Sequence, residues 1–278
     1  MALSIQSNMA SMSIQNQLGR SNDSLSTALE RLGSGFKINS AKDDAAGLQI
    51  ASRLNAQVKG QEAGLYNGAN AMSMMQTAEG AFDEMTNIAY RMKELATQGA
   101  SDANGTTEWA AQSAEYTALQ SELTSIMSNT SFGGTELLSA GGKFGAGSLT
   151  FQVGSSTAEK LDVDISTTLG TVTTNVAAAA AFTTVATAQT ELGKIDTIIE
   201  NIGTARSSLG ASMNRLEHTM TNVTNMKENT QAASSTLMDA DFAAETSNMT
   251  KQQLLMNSGI SVLSTANSTT QMIGSLLN

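Results

Sequence analysis

The sequence predicts a mainly α-helical fold: a long antiparallel coiled-coil helical bundle made by the N- and C-terminal parts, with a small central β-hairpin region. Three observations support this prediction. Apolar residues recur at alternating spacings of three and four in both halves, which is the pattern of a coiled-coil seam. The 278 residues include no Pro, so long helices can run without kinks. Only 4% of the residues are aromatic, which favours thin helical packing over one thick globular core.

Both ends of the chain lack charged side chains. Residues 1–19 and 252–278 contain no Lys, Arg, Asp or Glu. A helix that faces water normally carries charges on its outer side, whereas small uncharged polar residues pack against protein at low desolvation cost. We therefore predict that the two terminal helices meet and form a subunit interface, through Leu3, Ile5, Met9, Met12, Leu18, Leu25, Leu29, Leu32, Met256, Ile260, Leu263, Ile273 and Leu277.

The N-terminal half contains three predicted helices. The first ends at Gly33-Ser34-Gly35, a glycine break. Ser40 and Asp43 fit a capping box, which predicts that a second helix begins there and runs to about Gln98. A third helix follows a loop over 99–107. The seam of the second helix consists of Leu54, Val58, Gln61, Leu65, Gly68, Met72, Met75, Glu79, Phe82, Met85, Ala89 and Met92.

The middle of the chain changes in pattern from Ser131 onward. Glycine pairs at 133–134 and 141–142 predict a loop. Leu149, Phe151 and Val153 alternate with polar residues, and a second alternation runs over 161–165, so we predict the two strands of a hairpin. Residues 166–182 are rich in Thr and Ala, and their composition predicts an exposed connection.

Helix resumes near Thr184 and carries the second seam, which can pair with the first: Ile195, Ile199, Ile202, Arg206, Leu209, Met213, Leu216, Met220 and Val223. Asp239, Asp241 and Glu245 precede the last helix. Because the ends pair across the whole chain, we predict a discontinuous inner domain (1–41 and 236–278). An outer coiled-coil domain (42–235) would include the β-hairpin region 131–183.

The sequence offers no evidence for chemistry. His218 is the only His, and neither a His-Glu-x-x-His motif nor a phosphate-binding loop is present. The alternating acids Asp239/Asp241 and Asp162/Asp164 lack the Gly and distal Glu of a calcium loop. We therefore predict no enzyme activity, no catalytic residue, no cofactor and no metal site.

Charge and hydropathy limit the partners. A net charge of −10 argues against nucleic-acid binding. No apolar stretch reaches the roughly 18 residues of a membrane span, so we expect no membrane insertion. The N-terminus does not have the pattern of a cleavable signal peptide, so any export is expected to use another route.

Short runs at both ends resemble bacterial flagellin, the subunit of the flagellar filament. They are Glu-Arg-Leu-Gly-Ser-Gly at 30–35, Ile-Asn-Ser-Ala-Lys-Asp-Asp-Ala-Ala-Gly-Leu at 38–48, Gln-Thr-Ala-Glu-Gly-Ala at 76–81, Glu-Leu-Ala at 94–96, Arg-Ser-Ser-Leu-Gly-Ala at 206–211, Asn-Arg-Leu-Glu at 214–217, Asp-Phe-Ala-Ala-Glu at 241–245 and Ser-Leu-Leu at 275–277. The chain departs from the family where Phe132-Gly133-Gly134 replaces Phe-Asn-Gly, and where 267–271 lacks a frequent Pro.

The resemblance implies a structural subunit that polymerises into the extracellular filament for swimming motility, in a short form without large outer domains. It implies an inner tube of terminal helices and an outer tube of the bundle. It also implies type III export, an export chaperone, hook–filament junction proteins and a filament cap as partners, and a vertebrate Toll-like receptor whose contacts match Arg91, Leu95 and Glu115. The alternatives are a hook–filament junction protein and a secreted binding protein such as an adhesin.

Overall fold

A computed structural model describes residues 7–276, except for the side chains of 270, 271 and 273–276. Six helices account for most of this range: α1 (Met9–Ser34), α2 (Ala45–Gly99), α3 (Thr106–Asn129), α4 (Ser166–Ala178), α5 (Val185–Met238) and α6 (Phe242–Leu276). Four short strands complete it: β1 (Ser131–Phe132), β2 (Thr135–Glu136), β3 (Leu149–Gln152) and β4 (Lys160–Val163). The predicted mainly α-helical fold with a central hairpin is confirmed.

The chain forms two compact units. Unit 1 combines the described parts of Met1–Ala56 and Asn229–Asn278, and unit 2 is Gln57–Glu228. The inner and outer domains that the sequence suggests, divided at 41/42 and 235/236, concern positions within a filament and stay a prediction.

In unit 1, α1 and α6 pack against each other in opposite directions. Near one end the Asn8 side-chain amide donates to the carbonyl of Ala266 (3.2 Å). Farther along, the helices approach closely at Gly259, where an added Cβ would lie 2.8 Å from Cδ2 of Leu18. The same Asn8 side chain caps α1 by accepting from the Ser11 amide (3.0 Å). Contacts between residues about 250 positions apart therefore join the two ends of the chain.

The turn before α2 differs from the prediction. Asp44, not Ser40, caps the helix, because its carboxylate accepts from the Gly47 amide (2.8 Å) and the helix begins at the next residue. The predicted capping box is therefore wrong. Asp43 instead accepts from the amides of Ser40 (2.9 Å) and Asn39 (3.2 Å), which closes a separate turn. These hydrogen bonds, with that of the Ser40 hydroxyl, hold the pKa of Asp43 below its ordinary value.

In unit 2 the two predicted seams form the core between α2 and α5. The seam members with no exposed surface are Met75, Phe82, Met85, Ile195, Ile202, Leu209 and Leu216. Ion pairs flank the seam: Arg206 binds Glu79 (2.8 Å) and Asp83 (3.1 Å), while Lys93 binds Asp196 (2.6 Å). The predicted pairing of these two helices is confirmed.

Two hairpins follow α3. The predicted one pairs β3 with β4 in antiparallel register, Leu149 opposite Val163. A second, shorter hairpin pairs β1 with β2 where the sequence predicted only a loop. Its turn is Gly133-Gly134, with φ of 58° and 80°. Positive φ at both turn positions matches the twist of a two-residue hairpin and favours glycine, so this glycine pair can serve the turn in place of Asn-Gly.

Residues 166–182 are not the exposed connection that their composition predicted. Most of them form α4, whose Leu169, Val172 and Val176 are buried. Phe182, beyond the helix, is fully buried with its ring edge-on to Tyr116 at a centroid distance of 5.5 Å. The amide of Gln120 on α3 donates to the carbonyls of Val176 (2.8 Å) and Ala179 (3.0 Å). The prediction failed because abundant Thr and Ala hid a spacing of three and four among the large apolar residues.

Hydrogen bonds within a buried polar cluster connect the segment after α4 to α5. Glu191, buried at 4% exposure, accepts from the Tyr116 hydroxyl (3.0 Å), the Ala180 amide (3.2 Å) and the Lys194 ammonium (2.7 Å). Lys194 also donates to the Ala178 carbonyl. Burial, and then the adjacent Glu191 carboxylate, raises the pKa of Tyr116 well above its ordinary value of 10.0.

We expect Gly64→Ala to destabilise unit 2 by about 1–3 kcal/mol. An added Cβ would lie 2.6 Å from the carbonyl of Val153, so the β3–β4 hairpin would have to move away from α2. Gly80→Ala is the matched control, because nothing lies within 4 Å of its added Cβ and Ala favours a helix over Gly by about 1 kcal/mol. Urea unfolding of the monomer measures both, and equal stabilities for the two variants would refute the close contact.

We expect Tyr116→Phe to lower the free energy of unfolding by about 1–3 kcal/mol near neutral pH, since Glu191 loses a donor. The raised pKa of Tyr116 also fixes the sign of a pH effect. The unfolded chain releases this proton near pH 10 while the folded chain keeps it, so wild-type stability falls as pH rises above that value. Urea unfolding at about pH 8 and about pH 10.5 should show a smaller alkaline loss in the variant. An equal loss in both proteins would contradict this assignment.

Candidate subunit interface

The terminal helices leave large apolar side chains exposed. On α1 these include Met9 (68% exposed) and Met12 (53%), and on α6 they include Leu254 (64%) and Ile260 (55%). Single exposed apolar residues are common, but rows of them on one pair of helices are typical of interaction surfaces. The exposed apolar set of unit 1 is Met9, Met12, Leu29, Phe36, Ile50, Phe242, Leu254, Leu255, Ile260, Val262 and Met272.

The predicted interface residues fall into three groups. Met9, Met12, Leu29 and Ile260 are exposed. The side chains of Leu18, Leu25, Leu32, Met256 and Leu263 are half-buried. Outside the described residues lie Leu3, Ile5, Leu277 and the side chain of Ile273.

The spacing of seven that selected Met256 and Leu263 follows the side of α6 that meets α1. These two residues share a helical face with Gly259, which contacts Leu18, and with Ala266, which accepts from Asn8. The predicted set omitted Phe242 and Leu254, which point away from this row. A search for apolar residues on the opposite face of the last helix would have found them.

Two distant sequence runs contact each other where α1 ends and α6 begins. We call this contact region the joint. Arg31 of the run 30–35 binds Glu245 of the run 241–245 at 2.9 Å, and the Glu245 side chain is only 12% exposed. Backbone hydrogen bonds connect the linkers beside this pair: the Lys37 amide donates to Met238 (2.6 Å) and the Ala240 amide donates to Gly35 (2.9 Å). The linkers that follow α1 and precede α6 are therefore held to each other.

Two local features give the joint its turns. Gly35 ends α1 at a φ of 77°, a conformation that favours glycine, and its amide donates to the Arg31 carbonyl (2.8 Å). Asp241 caps α6 by accepting from the amides of Ala243 (2.9 Å) and Ala244 (3.1 Å). Sequence runs that the family resemblance singled out thus contain the residues that shape this joint.

The three candidate receptor contacts differ in exposure. Arg91 and Glu115 lie on the surface of α2 and α3 and bind each other, with the Arg91 Nε 2.9 Å from a Glu115 oxygen. Arg91 also binds Glu94 at 2.6 Å. Leu95 is only 2% exposed and belongs to the hydrophobic core. Two of the three residues therefore share a polar surface, and the third is buried in the core.

The candidate chemical groups occupy ordinary structural positions. His218 is exposed on α5. The Thr150 hydroxyl donates to Asp162, and the hydroxyl and amide of Ser166 donate to Asp164. Over residues 7–276, no group of three or more His, Cys, Asp or Glu could hold a metal ion. Within that same range, no helix is both long and apolar enough to cross a membrane.

Comparison with known sequences identifies the family. A family model described as the bacterial flagellin N-terminal helical region matches residues 5–142, and one for the flagellin C-terminal helical region matches residues 192–277. The flagellin of Listeria monocytogenes is 32% identical, over 99% of this chain and 100% of its own. Flagellin A of Vibrio anguillarum is 31% identical over 96% of this chain and 97% of its own. That alignment spans 371 positions, more than the 278 residues here, so the Vibrio protein is the longer of the two.

Solved structures agree with the sequence comparison. The crystal structure of Bacillus cereus flagellin is 30% identical, with a TM-score of 0.51 over 61% of this chain and 94% of that one. A putative flagellar hook-associated protein from Vibrio parahaemolyticus has a TM-score of 0.55 over 70% of this chain and 99% of that one. Its identity is only 15%, so the likeness shows a shared fold and does not favour the junction-protein alternative. The chain therefore belongs to the bacterial flagellin family, as a short member that polymerises as a structural subunit of the extracellular flagellar filament.

Proposed function

We propose that the filament assembles by burying the outward faces of α1 and α6 against neighbouring subunits. The observation that carries this proposal is the row of exposed apolar side chains on two helices that are almost free of charge. Exposing such a surface to water is unfavourable, and burying a large aliphatic side chain contributes about 1.5–3 kcal/mol of favourable free energy. The uncharged Ser, Thr, Asn and Gln residues between them can be covered at lower cost than charged residues.

We also propose that the two parts of the chain occupy different positions in the filament. The terminal helices, with 1–41 and 236–278 as their proposed extent, would line the inner part of the filament, and 42–235 would form its outer part. Unit 2 fits the outer role because much of its α2–α5 seam is buried within one chain, including Met75, Phe82 and Leu209. Leu3, Ile5, Ile273 and Leu277 would extend the inner surface.

The other proposed partners would act on this surface before or during assembly. An export chaperone would cover the exposed face of the terminal helices while the subunit is inside the cell. The hook–filament junction proteins would offer the first subunits a matching end, and the cap would hold arriving subunits at the tip. Support for these partners comes from the family and from the exposed apolar side chains that need temporary cover.

A vertebrate Toll-like receptor is a further proposed partner, at the Arg91–Glu115 surface. Its support is the exposure of both charged side chains and the burial of Leu95, four residues from Arg91 on the same helix. In this proposal Leu95 acts by packing α2 against its neighbours, while Arg91 and Glu115 make the contacts.

The absence of any cofactor or catalytic role is likewise proposed, in keeping with a structural family.

We expect the full chain to form uniform tubes on filament seeds after heat dissociation, and a chain lacking 252–278 to stay monomeric. Ile260→Asp should raise the critical concentration for assembly about tenfold or more, because the charge would enter a buried contact. Its effect on monomer stability should be small, since Ile260 is already exposed. Negative-stain microscopy and sedimentation provide the readouts.

The control for that experiment is Thr174→Asp, which adds the same charge at an exposed position of α4 in unit 2. It should assemble at the wild-type concentration. If the truncated chain and Ile260→Asp also assemble as wild type, the terminal helices are not the assembly device and the proposal fails.

We expect Arg91→Ala to reduce receptor activation by the monomer about tenfold. Monomer stability should change by less than about 1 kcal/mol, because exposed ion pairs contribute little. Lys143→Ala, another exposed cation, is the matched control and should signal as wild type. A receptor reporter assay measures the response. If wild type and Arg91→Ala are equally silent, this receptor is not a partner of the chain.

A further inference from the structure

Lys251 stands alone as a charge within an apolar groove on α6. The groove includes Phe242, Thr246, Leu254 and Leu255, and Lys251 is its only charged residue. Lys251 lies on a different side of the helix from Gly259, which contacts Leu18 of α1, while Leu255 at the edge of the groove also borders α1. Two of the most exposed apolar side chains of unit 1, Phe242 at 60% and Leu254 at 64%, line the groove. A protein that covers this groove therefore comes close to the lysine ammonium.

The terminal helices carry very few charges that could balance Lys251. In α1 they are Arg20, Asp23, Glu30 and Arg31, and in α6 they are Glu245 and Lys251. Arg31 and Glu245 bind each other. Within residues 7–276, Arg20, Asp23, Glu30 and Lys251 form no ion pair. Two carboxylates therefore remain available on these helices.

Asp23 and Glu30 lie on one face of α1 together with the exposed Met12. Positions 12, 23 and 30 are separated by 11 and 7 residues, which are roughly three and two whole turns. The resulting face combines an apolar side chain with two acids, and all three residues are exposed. Its chemistry is complementary to an apolar groove that contains one lysine.

Asp23 and Glu30 lie in the same part of the helix pair as Lys251, but neither forms an ion pair with it within one chain. The contacts Leu18–Gly259 and Arg31–Glu245 bracket Asp23 and Glu30 on α1 and Lys251 on α6. A second copy placed alongside at a similar height could bring its α1 face to the groove. Burying an unpaired ammonium is strongly unfavourable, so a purely apolar surface is a poor match for this groove.

We propose that the α6 groove of one subunit receives the Met12–Asp23–Glu30 face of α1 from a second copy, with Lys251 paired to that acidic face. This inference deepens the proposed function, since it names the partner segment and the charge pair within the assembly surface. The apolar contact supplies affinity, and the ion pair fixes which face of α1 enters the groove, because a mismatched charge is strongly unfavourable.

Charge reversal tests the pair. Lys251→Glu should raise the critical concentration for seeded assembly about tenfold or more, since like charges would meet in the groove. Asp23→Lys, Glu30→Lys and each of their double variants with Lys251→Glu are measured alongside. At least one double variant should return the critical concentration to within about threefold of wild type. Lys143→Glu, which changes the net charge equally at an exposed site in unit 2, is the control and should assemble normally.

The outcomes separate this inference from the proposed function. If wild type assembles and Lys251→Glu assembles equally well, the groove does not hold a charge pair. Rescue by neither double variant would show that Lys251 faces something other than the acidic face of α1. If the chain lacking 252–278 assembles like wild type, the proposed assembly device itself fails. Circular dichroism of each monomer verifies that the helices remain formed.

Discussion

The packing of α1 against α6 is the contact on which the rest of unit 1 depends. It joins residues about 250 positions apart, as in the hydrogen bond from Asn8 to Ala266. The contact can therefore form only when the intervening chain brings its two terminal helices together. The linkers at the other end of this helix pair are tied by the amides of Lys37 and Ala240. The two terminal helices are therefore joined at both ends of their contact.

The same packing explains why the surface of unit 1 is apolar. Two helices in contact can cover only one side of each other, and here that side is the row Met256, Gly259, Leu263 and Ala266 with its partners on α1. The remaining sides keep Met12, Leu254 and Ile260 in water. Unit 2 covers its apolar side chains in another way. Helices α3 and α4 and the hairpins pack around the α2–α5 seam, and their apolar side chains form one core with it. We propose that assembly concerns chiefly unit 1, whose two packed helices leave apolar side chains uncovered.

Sequence predicted the regular features well and the irregular ones poorly. The seams through Met75 and Leu209 and the alternation at 149–153 follow from spacing alone, since burial on one face imposes a period. The start of α2 was misplaced because Ser40, Asp43 and Asp44 are all suitable caps, and only the backbone path selects Asp44. The composition of α4 does not predict a buried helix, because its many Thr and Ala residues mask the spacing of Leu169, Val172 and Val176. Among the candidate site residues, spacing found the side of α6 that faces α1, but it cannot tell which remaining side stays exposed.

The region between the two family matches also has a physical logic. Residues 143–191 fall outside both matches and contain β3, β4 and α4, yet the groups that hold α4 in place lie on its neighbours: Gln120 and Tyr116 on α3, and Glu191 at the very edge. Glu191 binds the Ala180 amide and the Tyr116 hydroxyl at once, so it fixes the returning chain to both α3 and α5. A middle segment anchored by its ends can differ in length at a low entropic cost, and the Gln120 and Glu191 side chains that anchor this one bind backbone atoms at Val176, Ala179 and Ala180. Variation in this segment is therefore compatible with an unchanged α2–α5 core, whereas in the proposed assembly a change on the outward faces of α1 or α6 would have to be matched on the neighbouring subunit.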